Sequence, residues 1–134
     1  MLIQNGADVN AQGGKESADG QQAIAKLLLE KGADVNAQGG KYGNALQAAS
    51  YRGYEKIAKL LLEKGVDVNA QGGKYGNALQ ASSYGGHQAI VKLLIEKGAD
   101  VNAQGGEYGN ALHAASNKGH ETIEKILINH GALI

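Results

Sequence analysis

The chain has 134 residues, and its 13 basic side chains balance its 13 acidic ones. This balance leaves no basic surface of the kind that nucleic acid or an anionic membrane requires, so we expect neither as a partner. No apolar stretch approaches the roughly 20 residues of a membrane span, because leucine runs such as 60–62 are followed at once by Glu-Lys-Gly. The absence of cysteine excludes disulfides, thiolate metal sites and thiol catalysis, and it fits an intracellular, cytoplasmic protein.

One block of 33 residues recurs along most of the chain. Gly32, Gly65, Gly98 and Gly131 are equally spaced, and the first three begin runs of the type Gly-Ala-Asp-Val-Asn-Ala-Gln-Gly-Gly. A fixed period of this length is typical of stacked structural units, each of which buries its apolar face only against its neighbours. We therefore predict one repeat domain over residues 1–134 that offers a binding or scaffolding surface, not a reaction centre.

The predicted units begin with incomplete ones. Residues 1–5 match the end of a preceding second helix, and residues 6–31 form a shortened unit. That unit lacks its first helix, because only a few residues separate Lys15 from Gly20, whereas many separate the corresponding Lys41 and Gly53. We expect the resulting N-terminal edge to pair with another copy of the chain or to be covered by further repeats. Full units are predicted at 32–64, 65–97 and 98–130, and residues 131–134 form a tail.

Within the unit 32–64, a short first helix is predicted from its capping residues. Asn44 stands where a helix cap is needed, and Gln47 follows three residues later. This spacing resembles a capping box, in which the two side chains satisfy each other's free backbone N–H groups. The helix is predicted to run to about Tyr51 and to end at Gly53.

A second helix is predicted from near Tyr54, because Ile57, Leu60 and Leu61 form an apolar stripe at helical spacing. A glycine, Gly65, ends it. The remaining segment of each unit, here called the finger (residues 33–43, 66–76 and 99–109), is rich in glycine and predicts an extended turn. The same stripes recur in the later units. They favour an all-α solenoid over a β-solenoid, which would need alternating apolar residues.

The unit resembles an ankyrin repeat. That family joins a Gly-His start of the second helix, a leucine run and the sequence Gly-Ala-Asp-Val-Asn-Ala. The chain has Gly86-His87, Gly119-His120, leucines at 60–62 and Gly-Ala-Asp-Val-Asn-Ala at 98–103. Where the family has Thr-Pro-Leu-His, the chain has Asn-Ala-Leu-Gln at 44–47, a variant similar to repeats of long fungal arrays. The resemblance implies an all-α ankyrin-repeat solenoid that acts as a non-catalytic protein-interaction module.

The resemblance also implies where a protein partner would bind. The units differ most at positions that the family uses on its concave face, at the finger tips and the ends of the first helices. We predict a partner-binding surface made of Lys41, Tyr42, Tyr51, Arg52, Lys74, Tyr75, Tyr84, Glu107, Tyr108, Asn117 and Lys118. Tyrosine suits an interface because it combines a large area with a polar tip. The alternative for Tyr42, Tyr75 and Tyr108, which do not vary between units, is that they pack on the next finger and stiffen the array.

No catalytic, metal or cofactor site is predicted. The four histidines are dispersed along the repeats, so structural roles are favoured over metal binding: His87, His113, His120 and His130. The glycines before Lys74 lack the serine or threonine that follows the lysine of a phosphate loop. Residues 8–19 echo a calcium loop, but the full units place alanine at its twelfth position.

Two other interpretations stay open. The chain would also suit a structural spacer or self-associating scaffold within a larger receptor-like protein. The near-identity of the units is typical of an engineered repeat protein, although recent duplication explains it as well.

Overall fold

The computed structural model describes Gly39 and residues 43–134, which contain six α-helices. They are α1 (Ala45–Arg52), α2 (Glu55–Glu63), α3 (Ala78–Gly85), α4 (Gln88–Glu96), α5 (Ala111–Asn117) and α6 (Glu121–Asn129). This part of the chain has no strand, only isolated bridges that close the fingers, such as Gly72 with Gly76. The predicted all-α repeat solenoid is confirmed. The predictions for residues 1–5, for the shortened unit 6–31 and for its open edge lie outside the described residues.

An asparagine caps each first helix as its position in the sequence suggested. The Oδ1 atoms of Asn44, Asn77 and Asn110 each accept a hydrogen bond, 2.8 Å long, from the backbone N–H three residues later. These bonds satisfy donors that a helix start leaves without partners. Gly53 ends α1 with φ at 79°, a left-handed conformation that glycine adopts without steric cost.

The reciprocal half of the predicted capping box is wrong. The Gln47 side chain does not return to the backbone of Asn44, and its Oε1 has no hydrogen-bond partner. Its Nε2 instead donates to the carbonyls of Ala70 (3.1 Å) and Gly76 (3.3 Å) in the next finger. Gln80 repeats the arrangement with Ala103 at 3.4 Å. The reason is burial: Gln47 is 1% exposed beneath that finger, whose carbonyls need donors.

The apolar stripes of the second helices form one continuous core. Its largest buried apolar side chains recur at equal steps: Leu46, Ile57, Leu61, Leu79, Ile90, Leu94, Ile123 and Leu127. Fully buried alanines such as Ala48 and Ala81 let the first helices approach one another closely. The first helices pack on each other more extensively than the second helices do. The stack therefore curves toward the first helices, and the concave face consists of their C-terminal ends and the finger tips.

In the described part of the chain, the fingers of units 65–97 and 98–130 also join each unit to the residues that follow it. Asn69 donates from Nδ2 to the carbonyl of Gly98 (3.1 Å) and accepts from the N–H of Asp100 (2.8 Å). Asn102 makes the same pair of bonds with Gly131 and Leu133. The Asp-Val-Asn part of the repeat thus fixes the position of the following unit.

The finger glycines allow one backbone to lie against another, which predicts a graded response to alanine. Gly106 (φ 68°) and Gly119 (φ 73°) both have left-handed backbones, so alanine at either should lower the free energy of unfolding by about 1 kcal/mol. A Cβ at Gly106 would lie 2.5 Å from the carbonyl carbon of Tyr75, whereas nothing lies within 4 Å at Gly119. We expect Gly106→Ala to cost a further 1–3 kcal/mol, roughly, in urea unfolding. Equal losses would contradict this packing of the fingers.

At two buried serines, in contrast, we expect substitution by alanine to stabilise the fold. Ser83 in α3 is fully buried and its hydroxyl has no hydrogen-bond partner, as at Ser50 in α1. Ser83→Ala should raise the free energy of unfolding by about 1 kcal/mol, because it removes a buried polar group that water can no longer solvate. The corresponding Ser116 is exposed and donates to Glu124 at 2.7 Å, so Ser116→Ala is the matched control and should not stabilise. A loss of stability in Ser83→Ala would mean that its hydroxyl has a partner.

Candidate functional site

Four tyrosines from alternating elements meet on the concave face. Tyr51 and Tyr84 lie near the ends of α1 and α3, and Tyr75 and Tyr108 lie on the fingers. The ring centroids are 4.9 Å apart for Tyr51 and Tyr75, 5.2 Å for Tyr75 and Tyr84, and 4.8 Å for Tyr84 and Tyr108. These separations fall in the favourable range for stacked and tilted aromatic pairs. We call this set the tyrosine column.

The members of the column differ in exposure. Tyr75 is only 2% exposed, whereas the other three are half-buried. The ring of Tyr75 lies near those of Tyr51, Tyr84 and Tyr108. The sequence left open the alternative that the finger tyrosines pack between units. The Tyr75 ring packs in this way. Tyr75 thus supports the other three rings, which keep part of their surface exposed.

Basic side chains flank the column. The Nζ of Lys74 lies 5.5 Å from the ring centroid of Tyr75, and the Nζ of Lys118 lies 5.3 Å from that of Tyr84. Both distances suit a cation–π interaction. Lys74 also forms an ion pair, 3.8 Å long, with Glu107 on the next finger. The column is therefore an aromatic surface flanked by the ammonium group of Lys118 and by the Lys74–Glu107 ion pair.

Contacts from the following unit hold the tyrosines in place. The Nε2 of His87 lies 2.8 Å from the carbonyl of Tyr51, and that of His120 lies 3.0 Å from the carbonyl of Tyr84. Between the fingers, the N–H of Glu107 donates to the carbonyl of Lys74 at 2.8 Å. These bonds give His87 and His120 structural roles, and they fix the backbone next to each ring.

The column changes the acidity of one phenol. The pKa of Tyr108 is raised from 10.0 to about 12, first by a side-chain hydrogen bond with Tyr84 and then by partial burial. The negative charges of neighbouring groups, including Glu107, act in the same direction. The neutral phenol thus stabilises the folded state at pH below 10, and this contribution is lost as the pH rises toward about 12.

The structure places the predicted site residues as follows. It brings together Tyr51, Tyr75, Tyr84, Tyr108, Lys74, Glu107 and Lys118, and it leaves Arg52 and Asn117 exposed at the ends of α1 and α5. Lys41 and Tyr42 lie outside the described residues. Ring stacking between helix and finger was not predicted. The signal for it was a tyrosine pair that recurs at one spacing, Tyr42 with Tyr51 and Tyr75 with Tyr84.

Other kinds of site find little support in the described residues. No group of three or more His, Cys, Asp or Glu side chains in residues 43–134 is placed to hold a metal ion. The main cavities are open grooves between neighbouring second helices, such as the one lined by Lys92, Ile95 and Ile126. Each described helix is too short or too polar for a membrane crossing.

Comparison with known families identifies the repeat. The family model described as "Ankyrin repeats (3 copies)" matches residues 1–72, 16–105 and 47–134, which together span the chain. No curated protein matches the chain in sequence.

The acidity of Tyr108 can be tested with a substitution that keeps the ring. Tyr84→Phe removes the hydroxyl that bonds Tyr108, so the pKa of Tyr108 should fall from about 12 toward 10. The measurement is a pH titration by NMR with isotope-labelled tyrosine, in which Tyr108→Phe identifies the signal. Tyr51→Phe is the control and should change the pKa little, because Tyr51 makes the smallest contribution named for Tyr108. An unchanged pKa in Tyr84→Phe would exclude the hydrogen bond as the main cause.

Proposed function

The chain belongs to the ankyrin repeat family, and from that premise we propose that it is a non-catalytic module that binds a protein partner on its concave face. Ankyrin repeats are generally protein-interaction modules. For this chain we assign the binding to a particular face and to particular residues. Contact would come mainly from the tyrosine column and from Arg52, Lys118 and Asn117 at its sides.

The observation that carries the proposal is the half-exposed, rigid aromatic surface. Tyr51, Tyr84 and Tyr108 are stacked, so they lose little side-chain entropy when a partner covers them. Hydrogen bonds to the carbonyls of Tyr51 and Tyr84 also hold the backbone at those two rings. Tyrosine and arginine are the side chains that most often dominate binding energy at protein interfaces. The exposed Arg52 beside Tyr51 adds such a group.

Charge on this face favours a partner with acidic groups at its rim. Lys118 and Arg52 are exposed, whereas the carboxylate of Glu107, next to Tyr108 on its finger, is paired with Lys74. Exposed charges of one sign raise association rates with oppositely charged surfaces, and added salt weakens the effect. The spacer or self-associating scaffold interpretation rests on the N-terminal edge outside the described residues, and it stays a prediction.

The test is site-specific photo-crosslinking of the whole chain in an extract of the cells that make it. A benzophenone amino acid at Arg52 or Lys118 should yield a protein adduct of defined mass, because both positions border the column. The same group at Lys92 or Lys125 on the second helices is the matched control and should yield none. Adducts only from the second helices would place the binding surface on the opposite side and overturn the proposal.

A further inference from the structure

The tyrosine column has one ring fewer in the unit 98–130 than in the unit before it. In the unit 65–97, the finger ring of Tyr75 packs in a tilted arrangement against Tyr84 from the first helix of the same unit, with 5.2 Å between the ring centroids. In the unit 98–130 the corresponding pair is Tyr108 and Asn117. Among the described residues, Tyr108 has ring neighbours only in the preceding unit, Tyr84 at 4.8 Å and Tyr75 at 6.4 Å. The stacking place beside Asn117 therefore lacks the ring that the preceding unit has.

Exposure follows this difference. Tyr75 is 2% exposed, but Tyr108, at the same position of the next finger, is half-buried, and Asn117 is exposed. An apolar ring surface left in water is the kind of surface that binding can cover with a gain in free energy. The preceding unit shows which side chain fits there, because Tyr84 occupies the equivalent place.

We propose that this place beside Asn117 binds an aromatic side chain of the protein partner, which stacks on Tyr108 and continues the column. The inference rests on the proposed function and names the chemistry of the partner: a peptide segment that presents a tyrosine, phenylalanine or tryptophan.

The charges around the place favour an aromatic ring over an arginine. The ammonium group of Lys118 already lies over the ring of Tyr84, 5.3 Å from its centroid, and would repel a second cation. The nearest carboxylate of the finger, Glu107, is paired with Lys74. A neutral ring meets neither difficulty, and aromatic pairs at these separations are attractive beyond the area that they bury.

The experiment compares two substitutions of Asn117. Linear peptides that bind the wild-type chain are selected from a random displayed library, and their dissociation constants are measured by fluorescence anisotropy. Asn117→Tyr fills the place with the chain's own ring and should weaken the selected peptides roughly tenfold or more. Asn117→Ser leaves the place open and should bind within about twofold of wild type. Asn117→Tyr should melt no lower than wild type, which excludes unfolding as the cause of lost binding.

The peptides provide a second readout. Replacement of their common aromatic residue by leucine should weaken binding to wild type, but should have little further effect on binding to Asn117→Tyr. Selected peptides without a shared aromatic residue, or equal binding by the Asn117 variants, would overturn the inference.

Further variants distinguish an error in the aromatic position from an error in the proposed function. Peptide binding could be unchanged by substitutions at position 117 but lost in an Arg52→Ala, Lys118→Ala double variant. In that case the concave face binds partners, and only the assignment of an aromatic side chain beside Asn117 is wrong. If neither change matters, the proposed function fails as well. If wild type self-associates in sedimentation and Asn117→Tyr is monomeric, the occupant is a second copy of the chain, which overturns the assignment to a partner.

Discussion

Side-chain amides that bond to the backbone of the next unit hold this stack together. A single unit is too small to bury its apolar stripe alone, so the position of its neighbour decides whether a core exists. Asn69 and Asn102 fix where the next finger begins. Gln47 and Gln80 bond to the middle of that finger, and Gln47 also bonds to its far end at Gly76. Nearly invariant asparagines and glutamines of the repeat thus join neighbouring units alongside the continuous apolar core.

The same connections build the concave face. His87 and His120 reach back to the carbonyls of Tyr51 and Tyr84, and the bond from Glu107 to Lys74 brings neighbouring fingers together. Each ring of the column therefore stands where two units meet. Its geometry depends on both units, and the aromatic surface is as rigid as the stack itself.

Features encoded within one unit could be predicted from the sequence, whereas features that join units could not. The asparagine caps, the glycine ends and the apolar stripes depend on residues a few positions apart, and the structure has them as expected. The partner of Gln47 was missed because its amide serves the next finger and not its own helix. Tyr75 and Tyr108 occupy the same repeat position yet differ in burial, because the rings that surround them differ. The identity of a partner is not encoded in spacing at all.

The tyrosine column also gives the protein an unusual optical property. The chain contains no tryptophan and no phenylalanine, so its near-ultraviolet spectrum arises from six tyrosines. Four of them lie within about 5 Å of a neighbouring ring in the column, while Tyr54 packs against the main core. Electronic transitions of rings this close couple to one another, so circular dichroism in this range reports ring pairs and their relative angle. The fold thus contains its own label for the alignment of neighbouring units.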